Sequence, residues 1–143
     1  MLSWRDELRR DLIRHEGMVP HAYQDSLGFW TIGVGRMIDK RKGGGISQQE
    51  AELLLDNDVE RVLTNLNQRI EWFHRLPDRK KRAVANMGFQ LGVDGLFSFR
   101  RMLAALKRGD WSAAHREALD SRWAQQTPNR AHEIAAMLGE DLT

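Results

Sequence analysis

Residues 14–35, RHEGMVPHAYQDSLGFWTIGVG, decide the fold class because the hydrophobic period changes within them. Residues 21–24 suit an extended strand, and residues 29–34 are rich in β-branched and aromatic side chains, as strands are. The sequence DSLG between them is typical of a tight turn, since glycine adopts a positive φ without steric cost. The stretch therefore predicts a small β-hairpin.

A helix is predicted immediately before this hairpin. Apolar side chains recur every four residues, at Trp4, Leu8 and Leu12. This spacing indicates one apolar face of a helix over about residues 3–15, and Gly17 and Pro20 end it. Glu16 is therefore expected at the C-terminal end of the helix or just past it.

The chain after the hairpin has helical patterns. Ser47 and Glu50 have the spacing of a capping box, which predicts a long helix reaching about residue 69. Further helical segments follow, with a break predicted at residues 92–95 and with Pro128 in the first turn of the last helix. No repeat or low-complexity tract interrupts this pattern.

These elements predict a single α+β domain, mainly α, over residues 1–143. A small N-terminal lobe at about 14–46 carries the hairpin, and the linking helix covers about 47–69. A helical lobe follows at about 77–143, and the first helix is expected to pack on it. Clefts between such lobes are favoured ligand sites.

The composition excludes some classes of function. There is no cysteine, so disulfides and cysteine-based catalysis or metal binding are excluded. Twenty-two basic residues nearly balance twenty acidic ones, a net charge of +2 that does not indicate a nucleic-acid partner. The basic segments at 40–45 (KRKGGG) and 79–82 (RKKR) are interpreted as a solvated loop and a solvated helix face. The N-terminus has no signal-peptide pattern, and no apolar run predicts a membrane span.

Metal binding at the opening stretch is not favoured. The histidines follow the pattern H-E-x4-H, whereas two ligands on one helical face need H-E-x-x-H, and Gly17 breaks the helix between them. The later Gly33-Val-Gly35 lacks the third glycine of a dinucleotide-binding fingerprint. We therefore predict neither a metal nor another cofactor.

Two carboxylates remain as candidates for chemistry. Cleavage of a glycosidic bond needs an acid for the leaving oxygen and a second carboxylate that activates water or attacks the sugar. Glu16 at a helix end and Asp25 in the hairpin suit these roles, and the Thr31 hydroxyl could hold a water against Asp25. On spacing alone, however, solvated turn carboxylates are the favoured interpretation.

The surrounding motif favours a catalytic role for the two carboxylates over that of solvated turn residues. The pattern E-G-x5-Y-x-D-x2-G-x2-T-I-G-x-G, starting at Glu16, strongly resembles the phage lysozymes of glycoside hydrolase family 24. Three later segments are similar to further blocks of that family, in the same order: NDVERVL at 57–63, NMGFQ at 86–90 and SRWAQQTPNRA at 121–131.

The resemblance implies a lysozyme-like fold and an inverting muramidase. Its substrate would be the β-1,4 bond between N-acetylmuramic acid and N-acetylglucosamine in peptidoglycan. By resemblance Glu16 is the general acid, Asp25 and Thr31 place the water, and Arg130 pairs with the catalytic glutamate.

The resemblance also assigns residues around the centre. Met37 and Phe89 match sugar-cleft positions of the family in type. Arg36 stands where a family histidine pairs with the aspartate corresponding to Asp58, so an ion pair between Arg36 and Asp58 is expected.

Two other functions compete with the muramidase. A lytic transglycosylase cleaves the same bond without a water-activating carboxylate, and Asp25 and Thr31 argue against it. A non-catalytic domain that binds cell wall or nucleic acid is the second alternative, and the near-neutral net charge argues against nucleic acid. As an endolysin the protein is expected to be monomeric, without membrane insertion. It would wait in the host cytoplasm until a separate holin opens a path to the wall.

Overall fold

The computed structural model describes residues 3–38 and 44–140. It divides into two compact units, Met1–Leu53 and Leu54–Thr143, with the boundary inside a long helix. The described residues form an α+β fold that is mainly α, as predicted. Most of the predicted basic loop at 40–45 lies outside the described residues.

The N-terminal unit contains a helix followed by a small sheet. Helix α1 covers Trp4–Glu16, and strands β1 (Val19–Gln24), β2 (Trp30–Gly33) and β3 (Arg36–Met37) form an antiparallel sheet in the order β1-β2-β3. The predicted helix and hairpin are therefore confirmed, and β3 extends the hairpin to a third strand.

The capping box predicted for the long helix is present. Helix α2 covers Gln48–Arg69. The Ser47 amide donates to Glu50 Oε1 at 2.9 Å, and the Glu50 amide donates to Ser47 Oγ at 3.1 Å. Two otherwise unpaired amides at the start of the helix are thereby satisfied.

Arg36 forms an ion pair within the N-terminal unit. Its guanidinium lies 2.9 Å from Glu50 Oε2 and donates to the Gly45 carbonyl at 2.8 Å. Asp58 pairs with Arg61 one turn along α2, at 2.6 Å. Each of these pairs lies within one unit, and the ion pair of Arg36 with Asp58, which belong to different units, stays a prediction.

The Arg36–Glu50 pair predicts a pH-dependent stability. Hydrogen bonds from the Ser47 amide and then from Arg36 hold the pKa of Glu50 below its ordinary value of 4.5. A lowered pKa means that the stabilisation is present above pH 4.5 and is lost as the pH falls through 4.5 towards the folded-state value. We expect Glu50→Gln to lower Tm slightly at neutral pH, and the difference from the parent to disappear in acid.

Thermal melts across this pH range provide the measurement. Asp58→Asn is the matched control, because its exposed pair with Arg61 contributes little. A Glu50→Gln difference that persists unchanged in acid would contradict the assignment.

The C-terminal unit is helical. It contains the rest of α2 and a 3-10 turn at Phe73–Arg75, followed by α3 (Asp78–Phe97), α4 (Arg100–Lys107), α5 (Trp111–Leu119), α6 (Arg122–Gln126) and α7 (Pro128–Leu138). Helix α5 packs against α4 and α7, and α7 also packs against α3. Among the described residues, all buried hydrophobic side chains belong to this unit; the fully enclosed ones include Leu66, Val84, Met87, Leu96 and Leu106. None of the described helices is long and apolar enough to cross a membrane.

Helix α3 departs from the prediction in two places. The predicted break at 92–95 is limited to one non-helical residue, Gly92, with φ +76°, and the helix resumes as far as Phe97. The solvated interpretation of residues 79–82 is wrong for Lys80, which is completely buried. Its Nζ donates to the Gly139 carbonyl at 2.6 Å, at the C-terminal end of α7, and lies 5.4 Å from the centre of the Trp111 ring. A lysine in this position satisfies a carbonyl that the end of a helix leaves unpaired.

Candidate active site

Glu16 is the last residue of α1, which confirms its expected position at the C-terminal end of the helix. The Gly17 amide donates to the Ile13 carbonyl at 2.8 Å, and Gly17 has a φ of +79°, so the chain leaves the helix directly after Glu16. The Glu16 side chain is exposed. The end of the helix therefore presents the carboxylate outside any packed core.

The Glu16 carboxylate lies against the turn between β2 and β3. A Cβ built on Gly35 would come within 2.7 Å of Glu16 Oε2 and 2.9 Å of Glu16 Cδ. Gly35 has a φ of +68° and occupies the turn just before β3 begins. The end of α1 and the sheet thus meet at Glu16.

Asp25 is held by the backbone of its own turn. Its Oδ1 accepts hydrogen bonds from the amides of Leu27 and Phe29, both at 2.9 Å. The side chain is half-buried. Because both bonds go to one oxygen, the other oxygen, Oδ2, is left available to bind a water or a substrate group.

Thr31 is connected to Asp25 through the same peptide unit. The residue is only 3% exposed, and its hydroxyl donates to the Phe29 carbonyl at 3.0 Å. The main chain of Phe29 therefore binds Asp25 through its amide and Thr31 through its carbonyl. Since its proton is committed to that carbonyl, the Thr31 oxygen can only accept a hydrogen bond from a water.

Met37 lies on the same side of the sheet as Thr31. In the strand register Thr31 is opposite Tyr23 on one side and Met37 on the other. Directly opposed residues project from the same face of an antiparallel sheet. Tyr23, Thr31 and Met37 therefore form one row, and the row adds Tyr23 to the predicted residues.

Arg130 and Phe89 share a groove in the C-terminal unit. The groove has a volume of about 940 Å³, and its walls include both residues together with Val59, Asn86 and Ile134. Phe89 is 45% exposed, which is unusual for a ring on a packed helix and suits a contact surface. The structure thus brings these two predicted residues together.

Asn86 fixes the orientation of Arg130 and was not predicted. Its Oδ1 accepts from Arg130 Nε at 3.0 Å and from Arg130 Nη2 at 2.7 Å. The sequence did contain a signal, since Asn86 precedes Phe89 by three residues and so lies on the same helical face. The two bonds use one edge of the guanidinium and leave its Nη1 directed elsewhere.

The model of the phage lysozyme family matches residues 13–136. The chain is 25% identical to probable T4-type lysozyme 1 of Dictyostelium discoideum, over 90% of this chain and 92% of that protein. It is 31% identical to the endolysin of Acyrthosiphon pisum secondary endosymbiont phage 1, over 81% of this chain and 76% of that protein.

A larger relative matches as well. The pre-baseplate central spike protein Gp5 of Enterobacteria phage T4 is 29% identical over 96% of this chain, which spans 28% of the spike protein. The same kind of sequence thus occurs both as most of a protein and as one part of a longer one.

Proposed function

Because the chain belongs to the phage lysozyme family and is therefore a lysozyme-type peptidoglycan hydrolase, we propose that it cleaves the β-1,4 bond between N-acetylmuramic acid and N-acetylglucosamine. The observation that supports this bond and this chemistry best is the arrangement in the N-terminal unit. A carboxylate at a helix end lies on the sheet, and the same sheet bears a second carboxylate fixed by two backbone amides.

In the proposed reaction Glu16 is the general acid. It gives its proton to the oxygen that leaves with C4 of N-acetylglucosamine, while the bond from that oxygen to C1 of N-acetylmuramic acid breaks. A water attacks C1 from the opposite face, and its proton passes to Asp25. The exposed position of Glu16 leaves its carboxyl accessible to a glycosidic oxygen.

Asp25 and Thr31 are proposed to hold that water. Asp25 Oδ1 is occupied by two amides, so Oδ2 is the oxygen assigned to the water. The Thr31 hydroxyl donates to the Phe29 carbonyl, and its oxygen would accept the second hydrogen of the water. The water would then keep a lone pair directed towards C1.

Arg130, Met37 and Phe89 are proposed to support the reaction from around the centre. Arg130 would orient the Glu16 carboxylate in the free enzyme, and its own guanidinium is oriented by Asn86. Met37 and Phe89 would contact sugar rings, Met37 from the sheet face and Phe89 from the groove of the C-terminal unit.

Analysis of the products tests the proposed bond and reaction. Purified Gram-negative sacculi would be digested, and the fragments separated and weighed by mass spectrometry. Hydrolysis gives reducing muramic acid, with the α anomer appearing first if the reaction inverts. Products with 1,6-anhydro-muramic acid would instead show a lytic transglycosylase, and reducing N-acetylglucosamine would show that the other glycosidic bond is cut.

Asp25→Asn separates the proposed chemical role from the structural one. The asparagine carbonyl can still accept from the Leu27 and Phe29 amides, so the turn is retained, while the negative charge is lost. We expect activity on soluble peptidoglycan fragments to fall by about 10²–10⁴-fold with little change in Tm. Asp25→Ala, which removes both roles, should lose comparable activity and also stability. Full activity of Asp25→Asn would leave Asp25 as a turn residue only.

We also propose the biological role of an endolysin that acts as a monomer after a separate holin has opened the inner membrane. Expression in a Gram-negative host should then cause lysis with a co-expressed holin and not without one. Lysis by the protein alone would contradict the dependence on a holin. Sedimentation of the purified protein tests the monomer.

A further inference from the structure

Two features favour glycine at position 35: the backbone conformation and the lack of space for a side chain. Its φ of +68° lies in the left-handed region, which favours glycine. In addition, the Glu16 side chain occupies the place of a Cβ, with Oε2 at 2.7 Å, Cδ at 2.9 Å and Cγ at 3.1 Å from it. Real Cβ atoms essentially never approach another atom as closely as the first two distances.

The nearby Gly33 has the same backbone conformation as Gly35 but no neighbour in the place of a Cβ. Gly33 has almost the same φ, +70°, but nothing lies within 4 Å of the Cβ that it would carry. The two glycines are therefore alike in backbone conformation and differ in the contact with Glu16. The positive φ serves the backbone, and only the contact at Gly35 concerns the Glu16 carboxylate.

Little else in the N-terminal unit restrains the Glu16 carboxylate. Within residues 3–38 and 44–53, no hydrogen bond or ion pair reaches it. A glutamate side chain has three rotatable bonds, and an exposed one populates several rotamers. The bare backbone of Gly35 is thus a surface that this side chain rests on.

We propose that Gly35 is a positioning residue: the absence of its side chain forms the seat for the Glu16 carboxylate, which sets that carboxylate against the sheet bearing Asp25 and Thr31. The inference rests on the proposed role of Glu16 as the acid. A Cβ at position 35 would displace the flexible end of Glu16 rather than disrupt the fold. The consequence falls on the rate of the chemical step and not on the binding of sugar.

The test compares Gly35→Ala with Gly33→Ala. Both substitutions introduce the same backbone strain, so similar decreases in Tm are expected. We expect Gly35→Ala to lower kcat by about 10–100-fold with KM nearly unchanged, as a displacement of about 1 Å at a reacting group does. Gly33→Ala should keep kcat within about twofold. Gly35→Asn replaces Gly35→Ala if the alanine variant does not fold, since asparagine tolerates a positive φ better.

Two further measurements make the outcome specific. In a Glu16→Gln background the effect of Gly35→Ala on kcat should vanish, because no acid remains to be misplaced. A crystal structure of Gly35→Ala should show the Glu16 side chain in another rotamer. An unchanged rotamer, or an equal loss of kcat in the two alanine variants, would overturn the inference. Full activity of Glu16→Gln would instead overturn the proposed function, and the rotamer result would still decide whether the seat exists.

Discussion

Glu16→Gln is expected to lower the rate of lysis of permeabilised Gram-negative cells by about 10²–10⁴-fold, the contribution that a positioned general acid makes. The substitution keeps the size of the side chain and removes its ability to deliver a proton. Because Glu16 is exposed at the end of α1, the fold should be retained, with a Tm within a few degrees of the parent.

A second glutamate in the same helix provides the control. Glu7 is exposed in the first turn of α1, so Glu7→Gln makes the same change in net charge on the same element. It should clear cells at the parental rate. If Glu16→Gln also cleared them at that rate, the protein would not use this carboxylate as an acid and the proposed mechanism would be lost.

The second large effect is expected at Lys80. Lys80→Ala removes a completely buried side chain, leaves a cavity and deprives the Gly139 carbonyl of its 2.6 Å donor. Together these changes should cost about 3–5 kcal/mol in the free energy of unfolding of the C-terminal unit. Denaturant unfolding followed by circular dichroism measures this loss.

Two variants divide this loss into its parts. Lys80→Met keeps most of the volume and removes the donor, so it should cost about 1–3 kcal/mol. Lys81→Ala, next along the chain, removes a partly exposed side chain with a long 3.9 Å contact to Asp78 and should change stability by less than about 0.5 kcal/mol. Equal, small effects at both lysines would mean that Lys80 is not needed at the end of α7.

Lys80 also shows where sequence interpretation is limited. The helical period places residue 80 on the face of Ala83, Val84 and Met87, which are all buried. The period alone therefore indicated a buried position. The residue type indicated solvent, because lysine is almost never fully buried without a partner. The partner, the Gly139 carbonyl, is 59 residues away in sequence. Contacts at such separations depend on the tertiary fold and have no local pattern.

Elements with local causes were predicted well. The end of α1 at Glu16, the hairpin and the capping box follow from glycine, turn residues and helix caps within a few residues of each other. Helix α6 was missed because five residues are too few to show a period. The ion pair of Arg36 with Glu50 was missed because the two residues are 14 positions apart and no local pattern links them.

In the candidate site too, local arrangements were predicted and contacts between distant residues were missed. Asp25 and Thr31 are linked through Phe29, and Met37 lies opposite Thr31, because a hairpin and its next strand are local structures. The proposed seat at Gly35 was not predicted, since a missing side chain gives no sign in the sequence of what occupies its place. Asn86 was missed because its role depends on a contact with Arg130, 44 residues later.

The main-chain anchoring at Phe29 has a consequence for redesign of the protein. Asp25 and Thr31 are held by the amide and the carbonyl of residue 29, and those groups belong to every amino acid except proline, which lacks the amide hydrogen. The ring at this position is therefore independent of the two anchors. A library at position 29 that omits proline would vary the side chain there while leaving both anchors of Asp25 and Thr31 intact, which makes it a starting point for altering the proposed wall specificity.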